Sequence, residues 1–157
     1  MKTITLTPIG GELEVTTGSP LVKGLLACHL PVSMACGGRG LCASCHVYVR
    51  RGVECLTPPT PREEHTLRLI VTADVDSRLA CQTQVLADGA VIEIPAGLYV
   101  TSLEQVENLV GTKANQDFLH PLTGAVLIPR GKIITRTCLN VFAEATRELQ
   151  RINQNNP

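Results

Sequence analysis

The sequence predicts an α+β fold, in which one helix packs across a small mixed sheet. Three observations predict it. Short stretches with apolar residues at alternate positions are separated by turn residues. One early segment carries its apolar residues at helical spacing instead, as Leu21, Val22, Leu25 and Leu26. Only Tyr48, Tyr99, Phe118 and Phe142 are aromatic, so Val, Leu, Ile and Ala must fill the interior. At 157 residues the chain is one domain, or one domain with a substantial appendage.

Thr3 to Pro8 and Gly11 to Thr17 alternate around a turn at Pro8-Ile9-Gly10-Gly11, which predicts a β-hairpin. Ser19-Pro20 should open the first helix, with serine as N-cap and proline in the first position, and Pro31 should end it. A loop rich in cysteine and glycine follows, then a strand from His46 to Arg50 with Val47 and Val49 on one face. Thr60 and Glu63 form a capping-box pattern, which predicts a short helix to about Leu69. Arg78 to Gln82 should lead into a strand reaching Val85, and Ala87-Asp88-Gly89 should turn into a strand from Val91 to Pro95.

Pro95-Ala96-Gly97 reads as a boundary between residues 1–96 and a C-terminal extension, 97–157. The extension is expected to hold a helix capped by Thr101 or Ser102 and closed by Gly111, then a hairpin pairing 112–118 with 125–128, then a helix from about Thr137 to Ile152. In that last helix Cys138, Phe142, Ala145, Leu149 and Ile152 make an apolar stripe, suited to packing on the first domain or on a second copy in a homodimer. Asn153 to Pro157 should fray.

Charge and hydropathy exclude several functions. Lys plus Arg and Asp plus Glu both total 14, with no long run of either sign, so no nucleic-acid partner is indicated. Apolar runs fall far short of the roughly 20 residues that cross a bilayer. The first residues alternate like a strand rather than forming a signal peptide. Seven cysteines, an odd number, argue against a disulfide framework and for a reducing compartment, so a cytoplasmic protein is expected.

The chemistry concentrates in Cys36-Gly37-Gly38-Arg39-Gly40-Leu41-Cys42-Ala43-Ser44-Cys45-His46. Thiolates suit clustered iron or zinc. Glycines let a loop bend closely around an inorganic core, with its N–H groups turned toward negatively charged sulfur. Cys42 to His46 also fits the haem-attachment pattern C-x-x-C-H, but haem would leave Cys36, the glycines and Cys81 unexplained. A zinc site on Cys36, Cys42, Cys45 and either Cys55 or Cys81 is a stronger rival, although zinc sites usually pair two short knuckles and only one C-x2-C is present. A Rieske centre would need two histidine ligands in cysteine-histidine boxes, which the chain lacks. Cys28, Cys55 and Cys138 read as small hydrophobes, and His46 as a brace beside the loop.

The spacing C-x5-C-x2-C, His46 directly after the third cysteine, and the distant block Asp76-Ser77-Arg78-Leu79-Ala80-Cys81-Gln82 resemble the adrenodoxin-like branch of the [2Fe–2S] ferredoxins. Leu56-Thr57-Pro58-Pro59 followed by Glu63 and Glu64 is similar to the segment that family has between its loop and its fourth cysteine. The resemblance covers about residues 3 to 95. It implies a β-grasp (ubiquitin-like) domain, one [2Fe–2S] cluster and one-electron exchange with a reductase and an acceptor, without catalysis by the carrier itself. It also implies that Cys36 and Cys42 hold one iron, and Cys45 and Cys81 the other. Residues 1–100 carry eight Lys/Arg against nine Asp/Glu, which departs from the family's usual acidity and weakens electrostatic steering toward a basic partner. Two other readings stay open from sequence: a redox or iron-status sensor whose extension reads the cluster, and a zinc-bound interaction module.

Overall fold

Alternation of Ile4 and Leu6 with polar residues, and of Leu13 and Val15 likewise, builds an antiparallel pair from β1 (Lys2–Thr7) and β2 (Glu12–Val15), as the sequence predicts. The computed structural model describes residues 1–155. The chain then forms α1 (Leu21–Ala27), β3 (His46–Arg51), a short 3-10 turn (Val53–Cys55), α2 (Pro61–Leu69), β4 (Ser77–Leu79) and β5 (Ala90–Glu93). Their five strands make one mixed sheet in the order β2-β1-β5-β3-β4, with β1 and β5 parallel at its centre and the other pairs antiparallel. The buried face of α1, Leu21, Val22 and Leu25, packs into the core with Ile4, Leu6, Val47, Leu79 and Ile92.

Two local expectations are corrected. Ser19 does not cap α1: the N-cap is Pro20, with no side-chain cap bond. The N–H groups of Leu21 and Val22 donate to the carbonyls of Thr83 and Ala80, at 2.8 and 3.1 Å. Peptide groups of the Cys81 segment thus take the place of a cap, because the helix start abuts that segment rather than water. For the same reason the expected strand through Gln82 to Val85 is replaced by a turn. β4 stops at Leu79, Gln82 N–H and the Thr83 hydroxyl donate back to the Leu79 carbonyl at 3.0 and 2.9 Å, and Val85 belongs to no strand, forming an isolated bridge to Leu56.

The extension departs from the expected helix, hairpin and helix. It begins with a two-residue strand, β6 (Leu98–Tyr99), followed by the single-turn α3 (Glu104–Glu107). The hairpin arms shrink to β7 (Phe118–Leu119) and β8 (Val126–Ile128), and β6 joins β7 in parallel to give a three-stranded sheet, β6-β7-β8. The long helix α4 (Arg136–Asn155) closes this unit over its own small core, where Phe118 and Phe142 meet edge to face with ring centroids 5.9 Å apart. The apolar stripe of α4 is used within the chain, where Phe142, Ala145 and Leu149 are buried, so the packing lends no support to the homodimer considered from sequence. Asn153 and Asn155, expected to fray, continue the helix, and residues 156 and 157 lie outside the described residues. Tyr99 and Leu119 belong to the core of the larger sheet, so the extension is packed onto it from its first strand.

Candidate metal centre

Residues 28–45 connect α1 to β3 as the cysteine loop. The loop closes on itself through Ser44, whose hydroxyl donates to the Ser33 carbonyl at 2.9 Å, accepts the Ala35 N–H at 3.1 Å and lies 3.1 Å from Cys42 Sγ. Sequence reasoning passed over Ser44, since a serine between two cysteines carries no signal of its own. At Gly40 the backbone takes φ +74°, and a Cβ there would lie 2.9 Å from the Gln82 side chain. Glycine therefore lets the loop meet the Cys81 segment. Gln82 Nε2 crosses the same junction to the Gly38 carbonyl at 2.9 Å, and the Thr66 hydroxyl of α2 donates to the Gly40 carbonyl at 2.6 Å.

The four candidate thiols interact as two pairs, Cys36 with Cys42 and Cys45 with Cys81, the members of each pair shifting one another's proton affinity. Cys36, Cys42 and Cys45 are buried and Cys81 is half-buried. The Cys42 hydrogen bond, helped by backbone N–H groups of Leu41, Arg39 and Gly40 against the opposing effect of burial, draws the Cys36 thiol down to about 5. The Leu41 N–H lies 3.4 Å from Cys36 Sγ. Cys81 falls to about 7, chiefly through its bond with Cys45, with Gln82 and the Gly40 N–H adding to it. Cys42 and Cys45 move upward as the proton-holding members of their pairs, burial adding to the rise. Inward N–H groups and ready thiolates are what a negatively charged sulfur-bridged metal core requires. Among the described residues no three His, Cys, Asp or Glu side chains converge on a single-ion site.

Cys81 is positioned by an arrangement that the capping-box pattern concealed. Glu63 N–H donates to Thr60 Oγ1 at 3.2 Å, as expected of the box. Its carboxylate, however, turns inward to accept Arg78 Nε at 2.8 Å, Arg78 Nη2 at 3.2 Å and the Leu79 N–H at 2.9 Å. Both side chains are buried, so α2 is fastened to the strand that ends two residues before Cys81. His46 braces β3 against β4 rather than the loop itself: Nε2 lies 2.8 Å from Ser77 Oγ, and burial holds the ring neutral, down to about 4. Cys28 is exposed, Cys55 lies 3.0 Å from the Asp88 carbonyl, and Cys138 lies 3.4 Å from Thr135 Oγ1, all apart from the thiol pairs.

Residues 4–86, a span holding all four thiols, match the 2Fe-2S iron-sulfur cluster binding domain family. The chain belongs to the [2Fe–2S] ferredoxin family. It is 34% identical over 88 residues to a 2Fe-2S ferredoxin of Haemophilus influenzae, covering 56% of this chain and 78% of that protein. With the 2Fe-2S ferredoxin of Escherichia coli the figures are 31% over 90 residues, 57% and 81%. Among solved structures, the ISC-like [2Fe-2S] ferredoxin FdxB of Pseudomonas putida superposes with a TM-score of 0.56 at 32% identity, over 60% of this chain and 93% of that one. Putidaredoxin in the covalent putidaredoxin reductase–putidaredoxin complex gives 0.54 at 26%, over 60% and 98%. As a member of this family the chain carries a single [2Fe–2S] cluster, and the family's work is electron transport.

The family match ends at residue 86, yet this ferredoxin's extension reaches back to the cysteine loop. The Ala43 N–H donates to the Pro121 carbonyl at 2.7 Å. Leu149 of α4 packs in one buried cluster with Cys36 and Cys42, flanked by Leu41 and Leu122. Arg39, considered from sequence either as charge compensation or as simply solvated, bonds instead to the Cys36 carbonyl and to Asn153 Oδ1. No helix among the described residues is long and apolar enough to cross a membrane.

Proposed function

We propose that the protein is a soluble one-electron carrier working between a reductase and an acceptor in the cytoplasm, and not itself an enzyme. Cys36 and Cys42 hold one iron of the cluster, and Cys45 and Cys81 the other. The observation that carries this assignment is the meeting of the thiols in two pairs, with loop N–H groups directed at their sulfurs. Two pairs suit two metal ions, whereas a structural zinc site needs four donors around one point. When bound, the cluster supplies the one-electron couple. The residues hold it and set its surroundings: Gly40 admits the close approach of the Cys81 segment, Ser44 fixes the loop base, and the Glu63–Arg78 pair fixes β4.

We read the five-stranded sheet with α1 across it as a β-grasp, a reading supported by its 2-1-5-3-4 order and its parallel central pair. Residues 1–96 form the ferredoxin domain and 97–157 an appended unit. A reductase partner is supported by the likeness to putidaredoxin, which is solved in a covalent complex with putidaredoxin reductase. The cysteines form no disulfide among the described residues, which accords with a reducing compartment. Anaerobic titration with dithionite, followed by reoxidation with cytochrome c, tests the carrier reading. One electron taken up and returned per chain is expected; irreversible bleaching would overturn it.

A further inference from the structure

The extension touches the cysteine loop at its entrance, its tip and its exit. At the entrance, Asn153 Nδ2 donates to the Ala35 carbonyl at 3.1 Å. At the tip, Arg39 Nη2 donates to Asn153 Oδ1 at 2.9 Å while its Nε holds the Cys36 carbonyl. At the exit, the Pro121 carbonyl takes the Ala43 N–H. One asparagine side chain therefore uses both its donor and its acceptor to clasp a loop that is 114 to 118 residues away in sequence. Between these contacts Leu149 lies against Cys36 and Cys42, and all three are at most 4% exposed.

The hairpin that presents Pro121 is itself held from two sides. Val71 N–H donates to the Thr123 carbonyl at 2.8 Å, and His120 Nε2 lies 3.3 Å from Glu148 Oε2 of α4. Cys81, by contrast, stays half-buried, beside Gln82. Cys36, Cys42 and Cys45 are thus covered while Cys81 is less so, and Leu149 and Leu122, which lie beyond the family match, belong to the cover over Cys36 and Cys42.

We propose that α4 is a fixed wall of the cluster pocket, in which Asn153 and Leu149 are positioning residues that seal the Cys36–Cys42 flank and leave exchange with solvent and redox reagents to the Cys81 flank. The proposal rests on the reading of the four cysteines as ligands. Its physical content is twofold. The clasp holds the loop's ends closed around the cluster, which slows loss of the metal. The apolar wall keeps water from one pair of sulfurs, which disfavours the more negative, reduced state and holds the potential down.

The test uses full-length, cluster-loaded protein with Asn153→Ala, Asn153→Asp, Leu149→Ala and, as a control on the exposed face of α4, Gln150→Ala. Bleaching of the visible absorption by an iron chelator, the midpoint potential, and the rate of oxidation by hexaammineruthenium are measured for each. For Asn153→Ala, chelator-driven loss at least about fivefold faster is expected, the factor that one lost hydrogen bond gives. Asn153→Asp keeps an oxygen for Arg39 but loses the donor to Ala35, and should fall between Asn153→Ala and wild type. Leu149→Ala should raise the potential and speed oxidation, while Gln150→Ala matches wild type. If the wild-type protein has its cluster and all four variants match it in every measurement, the wall is refuted and the ligand reading stands. If the wild-type protein gives no iron–sulfur spectrum at all, the ligand reading falls, and the wall with it.

Discussion

Replacing Glu63 by alanine removes the one acceptor that three buried donors share. The guanidinium of Arg78 would be left 5% exposed without its counter-charge, and the Leu79 N–H would lose its 2.9 Å partner. Breaking a buried ion pair by deleting one member costs about 3–5 kcal/mol. An unsatisfied peptide N–H adds about 1–3 kcal/mol. Against a total stability of about 5–15 kcal/mol for a domain, the variant should be close to unfolding. Arg78 Nη1 already lacks a protein partner among the described residues, so no second protein acceptor there is at hand for the stranded charge. The assay is urea unfolding of the cluster-loaded protein, followed by far-ultraviolet circular dichroism and by visible absorption together. Both signals should be lost at much lower urea, and the visible one should be altered even before unfolding, because β4 no longer fixes the approach to Cys81. The double replacement Glu63→Leu with Arg78→Met should recover most of the stability, since a packed apolar pair replaces the ions. A loss below about 1 kcal/mol for Glu63→Ala, the size of an exposed pair, would refute the reasoning.

Other expected outcomes concern single groups. Cys81→Ser should abolish or strongly weaken the visible absorption, whereas Cys138→Ser, in the separate core of the extension, should leave it unchanged; equal damage from both would contradict the ligand assignment. Tyr99→Phe removes a buried hydroxyl that has no hydrogen-bond partner among the described residues and should be neutral or stabilising by about 1 kcal/mol, read from the urea midpoint. Burial pushes the Tyr99 hydroxyl up from its ordinary value of 10.0, so the unfolded chain loses that proton first as pH rises. Wild-type stability should therefore decline from about pH 10 upward by more than that of Tyr99→Phe, and parallel declines would refute this account of the residue. Gly52→Ala should be severely destabilising, because φ is +78° there and the added Cβ would meet the backbone of Gly89 and Ala90 at 2.7 Å; unchanged thermal stability would count against the loop geometry.

What the sequence disclosed tracks the range of the physics involved. Thiol spacing and glycine content are local, so Cys36, Cys42, Cys45 and the loop around them were legible directly. Alternation exposed β1 and β2, helical periodicity exposed α1 and α4, and the capping box exposed α2. Strands of two residues such as β6 and β7 are too short to carry a period, which is why the extension was expected to be simpler than it is. The failures at Ser19 and Glu63 share a cause. Each residue has a local capping role that its sequence context supports, but a tertiary partner replaced that role at the first and redirected the side chain at the second: the carbonyls of Ala80 and Thr83, and the guanidinium of Arg78. Asn153 was least visible of all, a polar residue near the chain end whose partners lie more than a hundred positions earlier. Only folding makes it part of the site.

Iron and acid-labile sulfide content, measured on protein purified anaerobically with ample iron and paired with low-temperature EPR of the dithionite-reduced sample, reaches the central claim most directly. Two irons and two sulfides per chain, with an axial or rhombic signal that appears on reduction and vanishes on reoxidation, are expected of thiols paired as Cys36–Cys42 and Cys45–Cys81. One zinc per chain, no sulfide and no EPR signal would contradict it.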